Sequence, residues 1–370
     1  MQSKKFLIGI MSGTSMDAVD AVLAYFPDTF PAAPCQVAGF VSLPFAQEVR
    51  AALFALQSSG PDELARAAQS ARALAQMYAQ AAQQLCAQAG IAPAQVAAIG
   101  AHGQTVRHQP QAGYTCQLLN GALLAELSGI DVVCDFRSRD VAAGGQGAPL
   151  VPAFHAALFG AAQGARVVLN LGGIANISIL RAEQVLGFDT GPANVLLDLW
   201  CSRHTGQPFD ANGAWAASAS PHPELLAQML SEPFFQLAPP KSTGRDLFDQ
   251  AWLARHLQAW PQLPPARVQA TLAQLSAESV AQAVRKYAPD AQEVLLCGGG
   301  AENADLCARL AAALPAVALR STAQAGIAPQ QVEALAFAWL AGRHLQRASG
   351  NLPQVTGARG LRVLGCHYPA

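Results

Sequence analysis

Charge is scarce in this chain. Only 13% of its 370 residues are Asp, Glu, Lys or Arg, and they balance to a formal net charge of −1. There is no block of lysine and arginine, so neither nucleic acid nor an anionic membrane surface is indicated as a partner. The eight cysteines are scattered, with no CxxC pair and no zinc-type spacing. That argues against a disulfide scaffold and leaves buried, reduced thiols in a cytoplasmic protein as the expectation. No apolar run approaches the ~18 residues of a spanning helix. The start MQSKKFLIGIMSG has a short basic stretch, but Gly, Ser and Asp soon interrupt the apolar residues, and no signal peptide is expected. A Walker phosphate loop is missing too, since GxxxxGK[ST] occurs nowhere.

Apolar material is abundant instead, at 52% of residues. This is enough for large buried cores and excludes disorder, and a chain this long exceeds what one ordinary core serves, so two lobes are expected. Residues 5–26, KFLIGIMSGTSMDAVDAVLAYF, organise the first. Phe6, Leu7, Ile8 and Ile10 read as a buried strand, Ser12-Gly13-Thr14-Ser15 as a turn whose glycine can take positive φ, and 19–26 as the returning strand. Backbone N–H groups and two hydroxyls in such a turn can cradle phosphate oxygens, and Asp17 and Asp20 can hold a metal ion directly or through water. An ordinary hairpin with a polar turn is the competing reading.

A third strand is expected at 36–43, then an amphipathic helix at 46–57 and a long Ala/Gln/Leu-rich scaffold helix at 61–89. The strand at 96–100 empties into Ala101-His102-Gly103-Gln104-Thr105. Open α/β sheets put ligands at such strand ends, although His102 as a simple turn cap fits as well. Strand, helix and strand follow at 115–119, 120–129 and 131–136, ending in Asp135-Phe136-Arg137-Ser138-Arg139-Asp140 and a small-residue loop, AAGGQGAP, at 142–149. Arginine forks suit carboxylates and phosphates; a solvated loop with internal Arg/Asp pairs is the alternative.

The second half starts again at 166–180, RVVLNLGGIANISIL, with Gly172-Gly173 at the turn, a third strand at 184–188 and a helix at 191–205. Two strand, glycine turn, strand openings amount to a duplication of organisation, whose facing turns would clamp a nucleotide's phosphates. Asp189, between third strand and helix, has the placement of a general base, or else of a helix N-cap or metal-holding aspartate. Lys241-Ser242-Thr243-Gly244-Arg245-Asp246 reads as a capped helix start in an aromatic, proline-rich region. Further on, a helix is expected at 267–287 and a strand at 293–297. Gly298, Gly299 and Gly300 would let adenine and ribose approach closely, though a single Gly-rich loop is weak evidence. Glu333 opens the final long helix at 329–347, where a dipole-stabilising carboxylate is equally at home. The short apolar pieces after Pro353 should pack back onto a lobe.

MSGTSMDAVD, GAHGQTVRH, DFRSRDVAAGGQGAPLVP, NLGGIANIS, GFDTGPANVLLD, KSTGRD, CGGGAEN, AFAWLA and VTGA, in this order, closely resemble the anhydro-N-acetylmuramic acid kinase family. The resemblance runs from Ile8 to Gly365. Each motif is modest, but nine in order are highly specific. Ala18 and Ala193 stand where the family usually has glycine, one methyl group each that would tighten the phosphate turn or the Asp189 loop.

The resemblance implies an α/β fold of two ribonuclease-H-like, actin-like ATPase lobes with a nucleotide cleft between them. Lobe I would be 1–140 joined by 345–370, and lobe II 141–344. It implies an ATP- and Mg²⁺-dependent kinase that opens 1,6-anhydro-N-acetylmuramic acid with water and phosphorylates O6, with lobe closure to keep out bulk water. Asp189 would be the base, with Glu333 helping to hold the water. Gly13, Thr14, Ser15, Met16, Asp17, Ala18, Val19 and Asp20 would bind the ATP phosphates, Asp17 and Asp20 the metal. Gly172, Gly173 and Gly298 to Gly300 would complete the nucleotide site. His102, Gly103, Gln104, Thr105, Arg137 and Arg139 are the candidates for the sugar, an arginine suiting its lactyl carboxylate. A cytoplasmic homodimer is expected. Rival readings are another sugar kinase or ATPase of the superfamily, a non-catalytic sugar sensor, for which no basic helix-turn-helix precedes Lys4 or follows the tail, and an actin-like scaffold.

Overall fold

In the computed structural model, which describes residues 6–13, 16–160, 164–244 and 247–370, the strands are numbered along the chain. They are β1 (Phe6–Ser12), β2 (Ala18–Tyr25), β3 (Gln36–Pro44), β4 (Val96–Ala101), β5 (Gln104–Gln109), β6 (Tyr114–Leu118) and β7 (Val132–Cys134), then β8 (Ala165–Leu171), β9 (Ile174–Leu180), β10 (Val185–Pro192), β11 (Ala291–Cys297), β12 (Ala318–Ser321) and β13 (Cys366–Tyr368). The chain divides into two units, Met1–Leu158 with Gln331–Ala370, and Phe159–Gln330.

In the first unit the sheet order is β13-β7-β4-β1-β2-β3. β1, β2 and β3 form an antiparallel meander, and β4 and β7 join parallel to β1. The apolar residues of β1 and β4 are continuous rather than alternating, because both sheet faces are covered, as parallel strands require. Ile8, Ile10 and Ile99 share one face with Leu74, Tyr78 and Leu85 of the helix Glu63–Ala89. Leu7, Ala98 and Val133 share the other with Phe337, Ala338 and Ala341 of the helix Val332–Leu345. That helix lies directly on the backbone of β1 and β4. A β carbon at Gly9 would be 1.8 Å from the Ala334 carbonyl oxygen, and one at Gly100 would be 2.0 Å from that of Phe337.

The second unit repeats the arrangement, with the order β10-β9-β8-β11-β12. β8, β9 and β10 are an antiparallel meander, β11 is parallel to β8, and β12 is parallel to β11. Val167, Leu169, Leu171, Val294 and Leu296 meet Val280 and Val284 of the helix Pro265–Tyr287 and Leu306 and Leu310 of the helix Ala304–Ala313. Both units thus carry the ribonuclease-H-like strand order, and the α/β duplication read in the sequence is present.

Four expectations need correction. The division lies at 158/159 and 330/331, so 141–158 and 331–344 go with the first unit. The reasons are the seat of Val332–Leu345 on Gly9 and Gly100 and the hydrogen bonds that tie residues 140–146 to 351–356. The segment after Arg137 is not a loose loop: Ser138–Ala142 is helical, and Asp140, Val141 and Ala143 are buried. Gln104 continues into an antiparallel hairpin of β5 and β6. The third strand of the second unit runs on through Asp189 to Pro192, and its helix starts only at Asn194. After Pro353 the tail adds β13 antiparallel to β7. Among the described residues no helix is long and apolar enough to cross a membrane.

The contact at Gly100 leaves no room for one added carbon, so Gly100→Ala should lower stability by about 1–3 kcal/mol. Urea unfolding of the variant checks this; an unchanged midpoint would mean that the helix shifts away at no cost.

Candidate functional site

The motifs of the first unit gather where the parallel strands β1, β4 and β7 end. Ile10 is in register with Ala101, and the His102 N–H donates to the Ile10 carbonyl at 3.0 Å. Just beyond, Ser12 Oγ donates to the Gly103 carbonyl at 3.2 Å and bonds to Tyr78 Oη at 2.8 Å, both groups being buried. Gln104 Nε2 donates to the Gly13 carbonyl at 3.2 Å. The MSG turn and the AHGQT segment are therefore one hydrogen-bonded assembly. Gly103 belongs there on steric grounds, with φ at +75° and the Leu118 carbonyl oxygen 2.8 Å from where a β carbon would lie. Burial holds the Tyr78 hydroxyl far above its ordinary pKa, so it remains a neutral partner for Ser12.

Arg137 arrives from the end of β7. Its Nε and Nη2 lie 3.2 and 3.0 Å from His102 Nε2, and its Nη1 donates to the Gly147 carbonyl at 2.8 Å. Burial first, and then the Arg137 charge, hold the His102 imidazole well below its ordinary pKa, with the backbone of Ser12 and Gly103 pulling the other way. The ring is neutral, and its Nε2 accepts. Arg139 is exposed. The Thr105 hydroxyl accepts from Gln117 Nε2 at 3.1 Å inside the β5/β6 hairpin. The structure thus brings His102, Gly103, Gln104 and Arg137 to the Gly13 turn.

Thr14 and Ser15 lie outside the described residues. Met16 N–H donates back to the Gly13 carbonyl at 3.2 Å with φ at 54°, a left-handed turn residue whose side chain is buried. Ala18 and Val19 start β2. Asp17 is exposed and paired with Arg50 at 3.2 Å. Asp20 is partly buried, and that burial raises its carboxyl above the ordinary range; a Ser42 hydrogen bond lowers it, and the Asp17 charge adds to the rise. Among the described residues no group of three or more His, Cys, Asp or Glu is arranged to hold a metal. Glu333 sits in the first turn of Val332–Leu345 and belongs to this unit.

In the second unit the corresponding strand ends also converge. The Gly172 carbonyl accepts from Asn194 N–H at 3.1 Å, and the Gly173 carbonyl accepts from Ala193 and Val195 N–H at 2.9 and 3.0 Å, which binds the β8–β9 turn to the start of the helix Asn194–Thr205. Asn194 Nδ2 adds a bond to the Leu171 carbonyl at 3.0 Å. Gly298, with φ at +78°, leads the loop after β11 past the same turn, where a β carbon would stand 2.4 Å from Asn170 Oδ1. Gly299 and Gly300 begin a short 3₁₀ helix, and a β carbon on Gly300 would be 2.8 Å from that of Leu171.

Asp189 sits within β10 at a register shift, not at a helix cap. Its Oδ2 accepts from Thr243 N–H at 2.9 Å, and its own N–H donates to the Lys241 carbonyl at 3.2 Å. The KSTG island is thus no helix start: residues 241–244 are irregular and clasp the aspartate, and the next helix, Gln250–Leu257, is capped by Asp249. Arg245 and Asp246 lie outside the described residues. Lys241 Nζ donates to the Phe234 carbonyl at 3.1 Å and lies over the rings of Phe188 and Phe234. Burial, then repulsion by Lys286, lower its pKa to about 8 against the opposing pull of Asp189. Ala193 is buried at φ −111° and ψ −98°, and its methyl joins the core. Sequence reasoning missed Lys241 and Thr243 as partners of Asp189; the only signal was a compact polar island in an aromatic, proline-rich stretch.

Comparison with known proteins adds to this geometry. A family model described as anhydro-N-acetylmuramic acid kinase matches residues 5–370. Curated proteins of that name from Bordetella pertussis and Chromobacterium violaceum are 57% and 54% identical to this chain, over 99% and 98% of it and 96% and 98% of their own lengths. Among solved structures, (R)-2-hydroxyglutaryl-CoA dehydratase component A of Acidaminococcus fermentans aligns at a TM-score of 0.47 with 11% identity, over 90% of this chain and 95% of that one. A ROK family glucokinase from Streptomyces griseus, solved with glucose and AMPPNP, aligns at 0.40 with 16% identity, over 90% and 98%.

The Lys241 environment has a signed consequence. Its folded pKa of about 8 lies below its ordinary 10.5, so the penalty on the charged amine is fully present below pH 8 and is relieved as pH rises toward 10.5. In that window the unfolded chain holds the extra proton, and stability increases with pH. Lys241→Met lacks this increment, so urea midpoints of wild type and variant, measured near pH 7 and near pH 10, should diverge in favour of wild type at the higher pH. Parallel midpoints would show that the amine titrates normally.

Proposed function

Because the chain belongs to the anhydro-N-acetylmuramic acid kinase family, we propose that it uses ATP to phosphorylate O6 of 1,6-anhydro-N-acetylmuramic acid while water opens the anhydro bridge. The products are N-acetylmuramic acid 6-phosphate and ADP, and the setting is peptidoglycan recycling. Water attacks the anomeric carbon, O6 leaves, and O6 takes the γ-phosphoryl group. That asks for a base on the face opposite O6, as in an inverting glycosidase, and for donors around the transferring phosphoryl group.

Asp189 is the base in this reading, and its anchoring carries the assignment. One carboxylate oxygen is held by Thr243 N–H and the backbone by Lys241, which fixes the side chain while the other oxygen takes a proton from water. Glu333 helps to hold that water. The backbone from Gly13 to Asp20, with Gly172, Gly173, Gly298, Gly299 and Gly300, receives ATP; the small residues and glycine φ at Gly298 suit close approach of a nucleotide. His102, Gly103, Gln104, Thr105, Arg137 and Arg139 serve the sugar, with Arg137 toward the lactyl carboxylate. When bound with ATP, Mg²⁺ would supply charge neutralisation at the transferring phosphoryl group. Asp17 and Asp20 would hold it, and the raised Asp20 carboxyl beside the Asp17 charge is a pair that a cation relieves. A cytoplasmic homodimer accompanies the family reading. Another sugar kinase or ATPase is the alternative, and product analysis separates them.

Incubation with ATP, Mg²⁺ and the anhydro sugar in ¹⁸O-water, read by mass spectrometry, tests the chemistry. The 6-phosphate should carry ¹⁸O at the anomeric position, and Asp189→Asn should lose at least about two orders of magnitude in rate. ADP without a ring-opened phosphosugar would rule out the substrate. Arg137→Ala should raise KM for the sugar far more than KM for ATP; equal effects would sink the lactyl assignment.

A further inference from the structure

We infer that Asp140 and His102 are positioning residues for Arg137, setting the direction of its guanidinium from two sides through a hydrogen-bond network anchored in the C-terminal segment. The inference rests on the reading that Arg137 binds the sugar.

Asp140 is a fully buried carboxylate. Such a group is costly unless its oxygens are satisfied, and here three donors do so. Oδ1 accepts from Asn351 Nδ2 at 2.7 Å and Thr356 Oγ1 at 2.9 Å, while Oδ2 accepts from Gly147 N–H at 2.8 Å. Two of these donors come from the chain's last forty residues, and Gln146 N–H donates to the Thr356 carbonyl at 2.7 Å beside them. Gly147 is therefore held through its N–H, and the carbonyl on the other side of its Cα is the acceptor for Arg137 Nη1. On the other side of the guanidinium, Nε and Nη2 converge on His102 Nε2. That nitrogen accepts only while the imidazole is neutral, which the buried site ensures, and the ring is itself set by the contact with Phe337, 4.9 Å between centroids. Gly145 and Gly147 keep the loop tight enough for this: a β carbon at Gly145 would be 2.2 Å from Asp140 Oδ2, and one at Gly147, whose φ is +66°, would be 2.7 Å from a Val141 methyl. The two acceptors of Arg137, His102 Nε2 and the Gly147 carbonyl, are thus each set by further contacts, with Phe337 on one side and with Asp140, Asn351 and Thr356 on the other.

Two kinds of variant separate positioning from general stability. Asp140→Asn keeps the volume and an acceptor for Asn351 and Thr356 but sets an NH₂ against Gly147 N–H. His102→Phe removes the acceptor at Nε2, whereas His102→Gln restores one near that place. In the intact enzyme, Asp140→Asn and His102→Phe should each raise KM for the anhydro sugar about tenfold with KM for ATP nearly unchanged. His102→Gln should recover much of the loss, and neither change should add to Arg137→Ala. Additive effects in the Arg137→Ala background, or both KM values rising together, would overturn the proposal. The exchange rate of the Arg137 Nε–H in ¹⁵N NMR reads the network without reference to the sugar: slow in wild type and His102→Gln, fast in Asp140→Asn and His102→Phe. Equal rates in all four overturn the positioning role. A fast rate in the two disrupted variants, with Arg137→Ala leaving the sugar KM unchanged, would instead overturn the sugar reading alone. Should Asp140→Asn fail to fold, the His102 pair still decides.

Discussion

Two main-chain oxygens, those of Ala334 and Phe337, occupy the space where residues 9 and 100 would carry β carbons. This contact sets the position of Val332–Leu345 on the β1–β4 pair, and much of the first unit follows from it. Only glycine lets a helix backbone lie on a strand backbone, so at residues 9 and 100 the helix meets the sheet with no side chain between, while Leu7, Ala98, Phe337 and Ala338 pack around the contact. The helix brings Phe337 against His102 and Phe136 and places Glu333 at its own N-terminal turn. The β1–β4 register, Ile10 opposite Ala101, then leaves Ser12, Gly13 and His102 together where the strands end.

At those ends the structure places main-chain and buried polar groups in preference to exposed charge. Ser12 is satisfied by Tyr78 and Gly103, the Gln104 Nε2 group by Gly13, and Asp140 by Asn351, Thr356 and Gly147. Each such group would be expensive if orphaned, so each pins its neighbours. The second unit uses the same device with different residues. Asn194 and the peptides of 193–195 hold the Gly172-Gly173 turn, and the backbone of Lys241 and Thr243 holds Asp189. The low share of charged residues is consistent with this: the sites are built mainly from backbone, glycine and buried amides.

Much of the fold could be read from local pattern. The strand, glycine turn, strand openings at 5–26 and 166–180 are visible because a fully covered sheet demands unbroken apolar runs, and the duplicated strand order followed from them. The boundaries read less well. The extension of β10 through Asp189 was hidden because glycine and proline there look like a helix entrance, yet Gly191 and Pro192 pair with β9 across a register shift. The burial of 140–143 was hidden because alanine and glycine look like loop, and the carboxylate that orders them has donors more than two hundred residues away.

The sequence by itself determined the two-lobed α/β class, the family, and the list of motifs, since these depend on short-range periodicity and on residue types at close spacing. Only the tertiary structure decided which motifs meet. KSTG clasps Asp189, HGQ locks onto the Gly13 turn, and the tail from Asn351 orders the loop beside Arg137. Each of these contacts joins residues far apart in the chain, and what selects them is the need to satisfy a buried donor or acceptor, a condition that no local stretch of sequence records.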